Sequence, residues 1–101
     1  HLALKGDWEH ARDIGLYQWS TRGMHLDQVG FIHCSWQEQV AKTFERFYAD
    51  AGDVVLLEID PTRLTAPLRA DAIPTGELFP HLYGPLPIEA VRSITPYGSD
   101  S

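Results

Sequence analysis

A single cysteine, Cys34, stands among 101 residues, so no internal disulfide can form and a cysteine-based zinc site is excluded. That favours a reducing compartment, and the expected location is the cytoplasm. Basic residues are scarce. Eight Lys and Arg face 14 Asp and Glu, for a formal net charge of −6. The average field of such a chain repels duplex nucleic acid, so none is expected as a partner. Long apolar runs are missing as well. Val54–Leu57 falls far short of the ~20 residues a membrane span needs, so no membrane association is expected. No basic segment followed by an apolar one opens the sequence at His1, and no secretory signal is expected in it. There is no repeat of solenoid length, no low-complexity run and no glycine-rich phosphate loop.

What is present is a globular composition, 44% apolar and 22% charged. A chain of this length buries roughly two-thirds of its unfolded surface, enough for one core. One domain over residues 1–96 is expected, followed by a polar tail over 97–101.

His1–Leu4 reads as a strand. Asp7 is placed to cap a helix through about Ile14, which Gly15 would close. Leu16–Asp27 mixes polar and aromatic residues and reads as a loop with one short turn. Gly30–Ser35 reads as a strand. Ser35-Trp36-Gln37-Glu38 has the capping-box pattern, and Val40, Phe44 and Phe47 predict a buried helical stripe reaching about Ala49. Val54–Asp60 is β-rich and stops at Pro61. Arg63–Pro67 reads as a turn or short helix, Leu68–Ala72 as a strand, and Pro74–Gly76 as a turn. Strands over Leu78–Gly84 and Val91–Thr95 flank a short helix that Pro87 can open. Several strands follow one another with no full helix between them. That makes the fold class α+β, a single small domain with two or three helices.

Two segments look alike: Phe31-Ile32-His33-Cys34-Ser35 and Phe79-Pro80-His81-Leu82-Tyr83. Both read aromatic, any residue, histidine, any residue, hydroxyl. Residues two apart on a strand share a face. Phe31, His33 and Ser35 therefore line one face, and Phe79, His81 and Tyr83 line another. If the segments are neighbours, two imidazoles and two hydroxyls share one surface beside aromatic rings. Such a surface suits a small molecule with flat rings and sugar or phosphate groups, because imidazole and hydroxyl both donate and accept. Otherwise each histidine is a hydrogen-bonded structural residue.

Around this pair stand further candidates. His1 adds a third imidazole, but no metal-ligand spacing links the three and no metal is expected. Glu77, two residues before Phe79, can share the His81 face as a general base or a ribose contact. Ser35 sits at a helix start, where an anion is welcome. Arg22, beside Ser20 and Thr21, is a candidate for a ligand rim. Cys34 alternates into the core and reads as inert.

His1 in the opening strand, Gly30–Ser35, Arg46-Phe47-Tyr48, Leu56–Asp60 and Glu77–Leu86 together resemble the DUF952 family of small, mainly bacterial proteins of uncharacterised function. The likeness runs from His1 to about Pro96. It implies a fold grouped with ADP-ribosyltransferase-like proteins, which bind NAD in a cleft between two short, bent antiparallel sheets. Those proteins hold a ribose with a first-strand histidine, here His1. They place an aromatic or hydroxyl residue against the nicotinamide and often use a late glutamate for the transfer. Ser35, Tyr83 and Glu77 are the candidates for those later roles. His33 and His81 belong to the DUF952 pattern, not to the wider group's usual triad. The assignments that result are Glu77 and His81 as catalytic, with His1, His33, Ser35, Tyr83 and Arg22 binding a substrate for which NAD is the candidate. The alternative is a module that binds a small metabolite without turnover, or an interaction domain with structural histidines.

Overall fold

The computed structural model describes residues 1–98. The chain opens with β1 (Leu2–Leu4), which runs directly into helix α1 (Lys5–Ile14). The helix starts two residues before the expected Asp7, which lies inside the first turn. No side chain caps it. Instead Lys5 N donates to Asp53 O at 3.0 Å, so the neighbouring strand end satisfies the opening amide. Gly15 ends α1 as expected, at φ 91°, with its N–H on Ala11 O at 2.8 Å. Trp8 and Ala11 face inward, whereas Ile14 is exposed.

The stretch read as a loop contains more structure. β2 (Leu16–Tyr17) is followed by a bridge between Trp19 and His25 and by α2 (Leu26–Val29). β3 is only Ile32–His33. A 3₁₀ turn over Gln37–Gln39 then leads into α3 (Val40–Phe47). The expected cap at Ser35 is not formed. The Gln39 side chain caps instead, its Oε1 accepting from Trp36 N at 3.0 Å, while Ser35 Oγ turns to Thr43 Oγ1 at 3.2 Å. This late start rotates the buried stripe. Val40, Thr43 and Tyr48 carry it, and Phe47, expected inside, is 40% exposed.

The remaining elements are β4 (Val54–Ile59), a 3₁₀ turn at Pro61–Arg63, β5 (Leu68–Ala72) and β6 (Leu78–Leu82). They are followed by β7 (Leu86–Pro87), a 3₁₀ turn at Ile88–Ala90, and β8 (Val91–Tyr97). β8 takes in the first residue of the expected tail, and residues 99–101 lie outside the described residues.

The strands make three antiparallel sheets ordered β1–β4–β8, β2–β7 and β3–β6–β5. The architecture is a small α+β domain of short antiparallel sheets and few helices. Its main core joins all three sheets to α1 through Ala3, Val55, Leu57, Ile32, Leu82 and Leu86 around Trp8. A smaller cluster of Leu2, Val40, Tyr48 and Val54 seats α3 on the first sheet. Cys34 lies buried beside Ile32, and burial pushes its thiol pKa up, the setting of an inert cysteine.

Gly84 marks where β6 must turn away. A Cβ built there would stand 2.6 Å from Ala66 Cβ, a rigid neighbour held close because Tyr83 N donates to Pro67 O at 2.8 Å. Gly84→Ala is expected to lose about 2 kcal/mol, the usual cost of overpacking a fixed contact. Chemical denaturation checks this, and an unchanged midpoint refutes it.

Candidate functional site

Antiparallel pairing of β3 with β6 puts His33 opposite His81. The pairing brings together residues 48 apart in sequence, with His33 Nδ1 and His81 Nε2 at 3.1 Å. β5 lies on the other side of β6 and pairs Asp71 with Phe79 and Arg69 with His81. By the period of two, Phe31, His33, Phe79, His81, Arg69, Asp71 and Tyr83 share one face of this sheet. Ile32, Pro80 and Leu82 point the other way, into the core side.

On that face the polar groups form a chain. Asp71 Oδ2 accepts from His81 Nδ1 at 3.1 Å and, in a short contact, from the Tyr83 hydroxyl. The Tyr83 bond holds the Asp71 carboxyl below its ordinary pKa, and the same bond raises the Tyr83 phenol. Arg69 lies over the Tyr83 ring at 5.4 Å. Phe31 stacks on His81 with centroids 4.1 Å apart and planes 13° apart, so the ring is only 4% exposed. Phe79 packs on His33 at 4.8 Å. Burial and the neighbouring His81 ring push the His33 imidazole down to about 4, so it is neutral at pH 7.

Above this face opens a cleft of about 290 Å³. Phe31, Phe79, His33 and His81 line it from the sheet, Ser20, Thr21 and Met24 from the loop after β2, and Lys42, Thr43, Arg46 and Phe47 from α3. The volume is at the lower end for small-molecule sites, room for one ring with its attached groups. Lys42 and Arg46 are one helical turn apart and exposed, and neither has an ion-pair partner among the described residues.

The other expected residues are divided. Glu77 lines this cleft, and its Oε2 accepts from Gln39 Nε2 at 3.1 Å. Gln39 Nε2 also donates to Leu78 O at 2.7 Å, so one side chain ties the start of α3 to the start of β6. Tyr83 stands behind the cleft, on Asp71. Arg22 does not reach it. Its guanidinium is paired with Asp50 at 2.6 Å and its backbone N donates to the Tyr48 hydroxyl at 2.9 Å, which clamps the loop onto the end of α3. That loop in turn supplies Ser20 Oγ to His33 N at 3.1 Å.

His1 and Ser35 line a second cleft, of about 520 Å³, on the opposite face of the β3–β6–β5 sheet. Both ring nitrogens of His1 are engaged: Nδ1 with His33 O at 2.6 Å and Nε2 with the Tyr17 hydroxyl at 2.9 Å. A carbonyl only accepts, so the proton is on Nδ1 and the Tyr17 hydroxyl donates to Nε2. His1 thereby holds the backbone of His33 in place. No group of three or more His, Cys, Asp or Glu that could hold a metal ion occurs among the described residues. No helix among them is long and apolar enough to cross a membrane.

The model of a family described as "Protein of unknown function (DUF952)" matches residues 2–94. The chain belongs to the DUF952 family. Among solved structures, this DUF952 chain is similar to protein CC0527 from Caulobacter crescentus. The TM-score is 0.82 at 28% identity, covering 95% of this chain and 82% of that one. A double mutant of CC0527 gives a TM-score of 0.82 at 27% identity, with the same coverage. Comparison with curated proteins finds no match.

Asp71, Lys42 and Arg46 were not among the sequence candidates. Asp71 and Arg69 alternate on Leu68–Ala72 as a solvent face would. Lys42 and Arg46 at i and i+4 look like the outer side of a surface helix.

Proposed function

We propose that this DUF952 protein binds a nucleotide-type small molecule in the histidine cleft, with NAD the first ligand to test, on a fold of the ADP-ribosyltransferase-like kind. One observation carries the reading. The cleft combines aromatic rings, two imidazoles and two unpaired cations within a space sized for one ring system. The rings receive a base or nicotinamide, His33 and the Thr21 hydroxyl meet a sugar, and Lys42 and Arg46 meet a phosphate. Glu77 stands at the rim, within reach of a ribose hydroxyl. His1 acts at one remove, through the backbone of His33. A duplex nucleic acid is outside this reading, because the net charge of −6 opposes it. Action in the cytoplasm fits the single, buried cysteine.

The test is a ¹H–¹⁵N NMR titration with NAD, then with ADP-ribose and nicotinamide separately. Shifts are expected at His33, His81, Lys42 and Arg46. Replacing both Lys42 and Arg46 with alanine is expected to weaken binding by roughly 150-fold or more, since each charged hydrogen bond is worth about 1.5 kcal/mol or better. Both side chains are exposed, so the thermal midpoint should not move. Absence of shifts at millimolar ligand, or shifts confined to Ser35 and Trp36 in the second cleft, overturns the proposal.

A further inference from the structure

We propose that Asp71, His81 and His33 form a proton relay that makes Nε2 of His33 a general base toward a hydroxyl group, on a ligand whose anionic group faces Lys42 and Arg46. This rests on the binding reading above and goes beyond it to chemistry.

The tautomers follow from the partners. An ionised Asp71 only accepts, so the proton of its 3.1 Å bond belongs to His81 Nδ1. In the neutral His81 ring Nε2 is then a lone pair, and the 3.1 Å contact with His33 requires His33 Nδ1 to donate. That leaves Nε2 of His33 as a lone pair. It has no protein partner. Trp8 Nε1 is the one fully buried side-chain polar atom without a partner among the described residues, so His33 Nε2 is open to solvent. The residue lines the cleft, where such a base meets a ligand.

Burial and the neighbouring ring disfavour a charge on His33, so an isolated imidazole there would be a poor base. The relay removes that difficulty. The ligand's O–H bond breaks and an N–H bond forms at His33 Nε2. The N–H bond at His33 Nδ1 breaks and one forms at His81 Nε2. The electron pair stays on the ligand oxygen as a nucleophile. His33 ends neutral, and the positive charge rests on His81, hydrogen-bonded to the Asp71 carboxylate. Phe31, stacked on His81, keeps water from that ring. The charged groups that line the cleft are Lys42 and Arg46, from α3, and Glu77, before β6. The two cations favour an oxyanion and oppose a charge on His33. Asp71 and His81 are positioning residues here, and His33 is the group that touches the ligand.

The experiment is long-range ¹H–¹⁵N NMR of the imidazole rings in the ligand-free full chain, which reads the tautomer of each neutral ring. Both His33 and His81 are expected to carry their proton on Nδ1. Asp71→Ala, which removes the acceptor that fixes the proton on His81 Nδ1, should let both rings change to the Nε2–H tautomer. If that variant fails to fold, Tyr83→Phe, which leaves Asp71 beside His81, should keep the Nδ1–H form in both. A proton on Nε2 of His33 in the neutral ring overturns the relay whether or not NAD binds. If NAD binds and nicotinamide is released, His33→Gln should lower kcat by at least 100-fold, a larger factor than any loss of affinity from its missing ligand contact. An unchanged kcat overturns the catalytic role and leaves the binding reading standing.

Discussion

Truncating Leu82 to alanine is expected to destabilise the domain by about 4 kcal/mol, near the upper part of the range for a buried leucine. Leu82 is 0% exposed. It pairs with Ile32 on one side and Leu68 on the other, so it is the central residue of its sheet at that level. Ile32, Leu57 and Leu86 of the main core are also fully buried and belong to other strands, two of them to other sheets. They cannot all close on the cavity, because each is fixed by its own ladder. For a domain of about 100 residues the loss corresponds to roughly 20 °C in the thermal midpoint. Leu78 is the control. It lies on the same strand and the same face but is 48% exposed, and Leu78→Ala is expected to cost less than about 1 kcal/mol. Denaturant unfolding of the two variants decides the matter, and equal losses would refute the proposed position of the core.

Acid is expected to weaken the fold before it reaches the carboxylates. His33 has an ordinary value of 6.5 and is pushed down to about 4 in the folded chain. Between those values the unfolded chain takes up a proton at this residue and the folded chain does not. Stability therefore falls as the pH drops from about 6.5 to about 4, and changes no further through this group below that. The difference corresponds to about 2 kcal/mol once partial exposure of the ring is allowed for. Asp71 acts in a lower window. Its carboxyl is held down by Tyr83 and His81, so its contribution is present above the ordinary aspartate value and disappears as the pH falls further. Unfolding free energies measured at half-unit steps should show the first decline in the wild type and a flatter curve in His33→Gln. Identical slopes in the two proteins would remove His33 as its source.

The face that carries both histidines was legible from the alternation of Phe31-Ile32-His33 and Phe79-Pro80-His81 alone. Side chains on extended backbone have a period of two, and six residues suffice to state it. The pairing of the two segments was not legible, because nothing local in either strand names a partner 48 residues away. Asp71 was hidden for a related reason. Its strand is mostly exposed, and only the diagonal step from β5 to β6 turns a surface carboxylate into the partner of a buried imidazole. Ser35 misled for a different one. Its capping-box spacing is sound, but Gln39 makes the cap, and the helix begins one turn later with its stripe rotated. The opening strand, the glycine stop of α1 and β4 match the sequence reading nearly to the residue, whereas the start of α1 lies ahead of Asp7. Where they match, periodicity and terminators agree.

The ladder between β5 and β6 runs through five consecutive pairs without a bulge. A single inserted or deleted residue within Leu78–Leu82 would turn His81 into the core and Leu82 out into the cleft, destroying both at once. Residues can be gained or lost in the connecting turn around Pro74–Gly76 without changing which face any strand residue occupies. Length variation among homologues is therefore expected to be confined to the loops in this half of the protein, with β3 and β6 changing only by substitution.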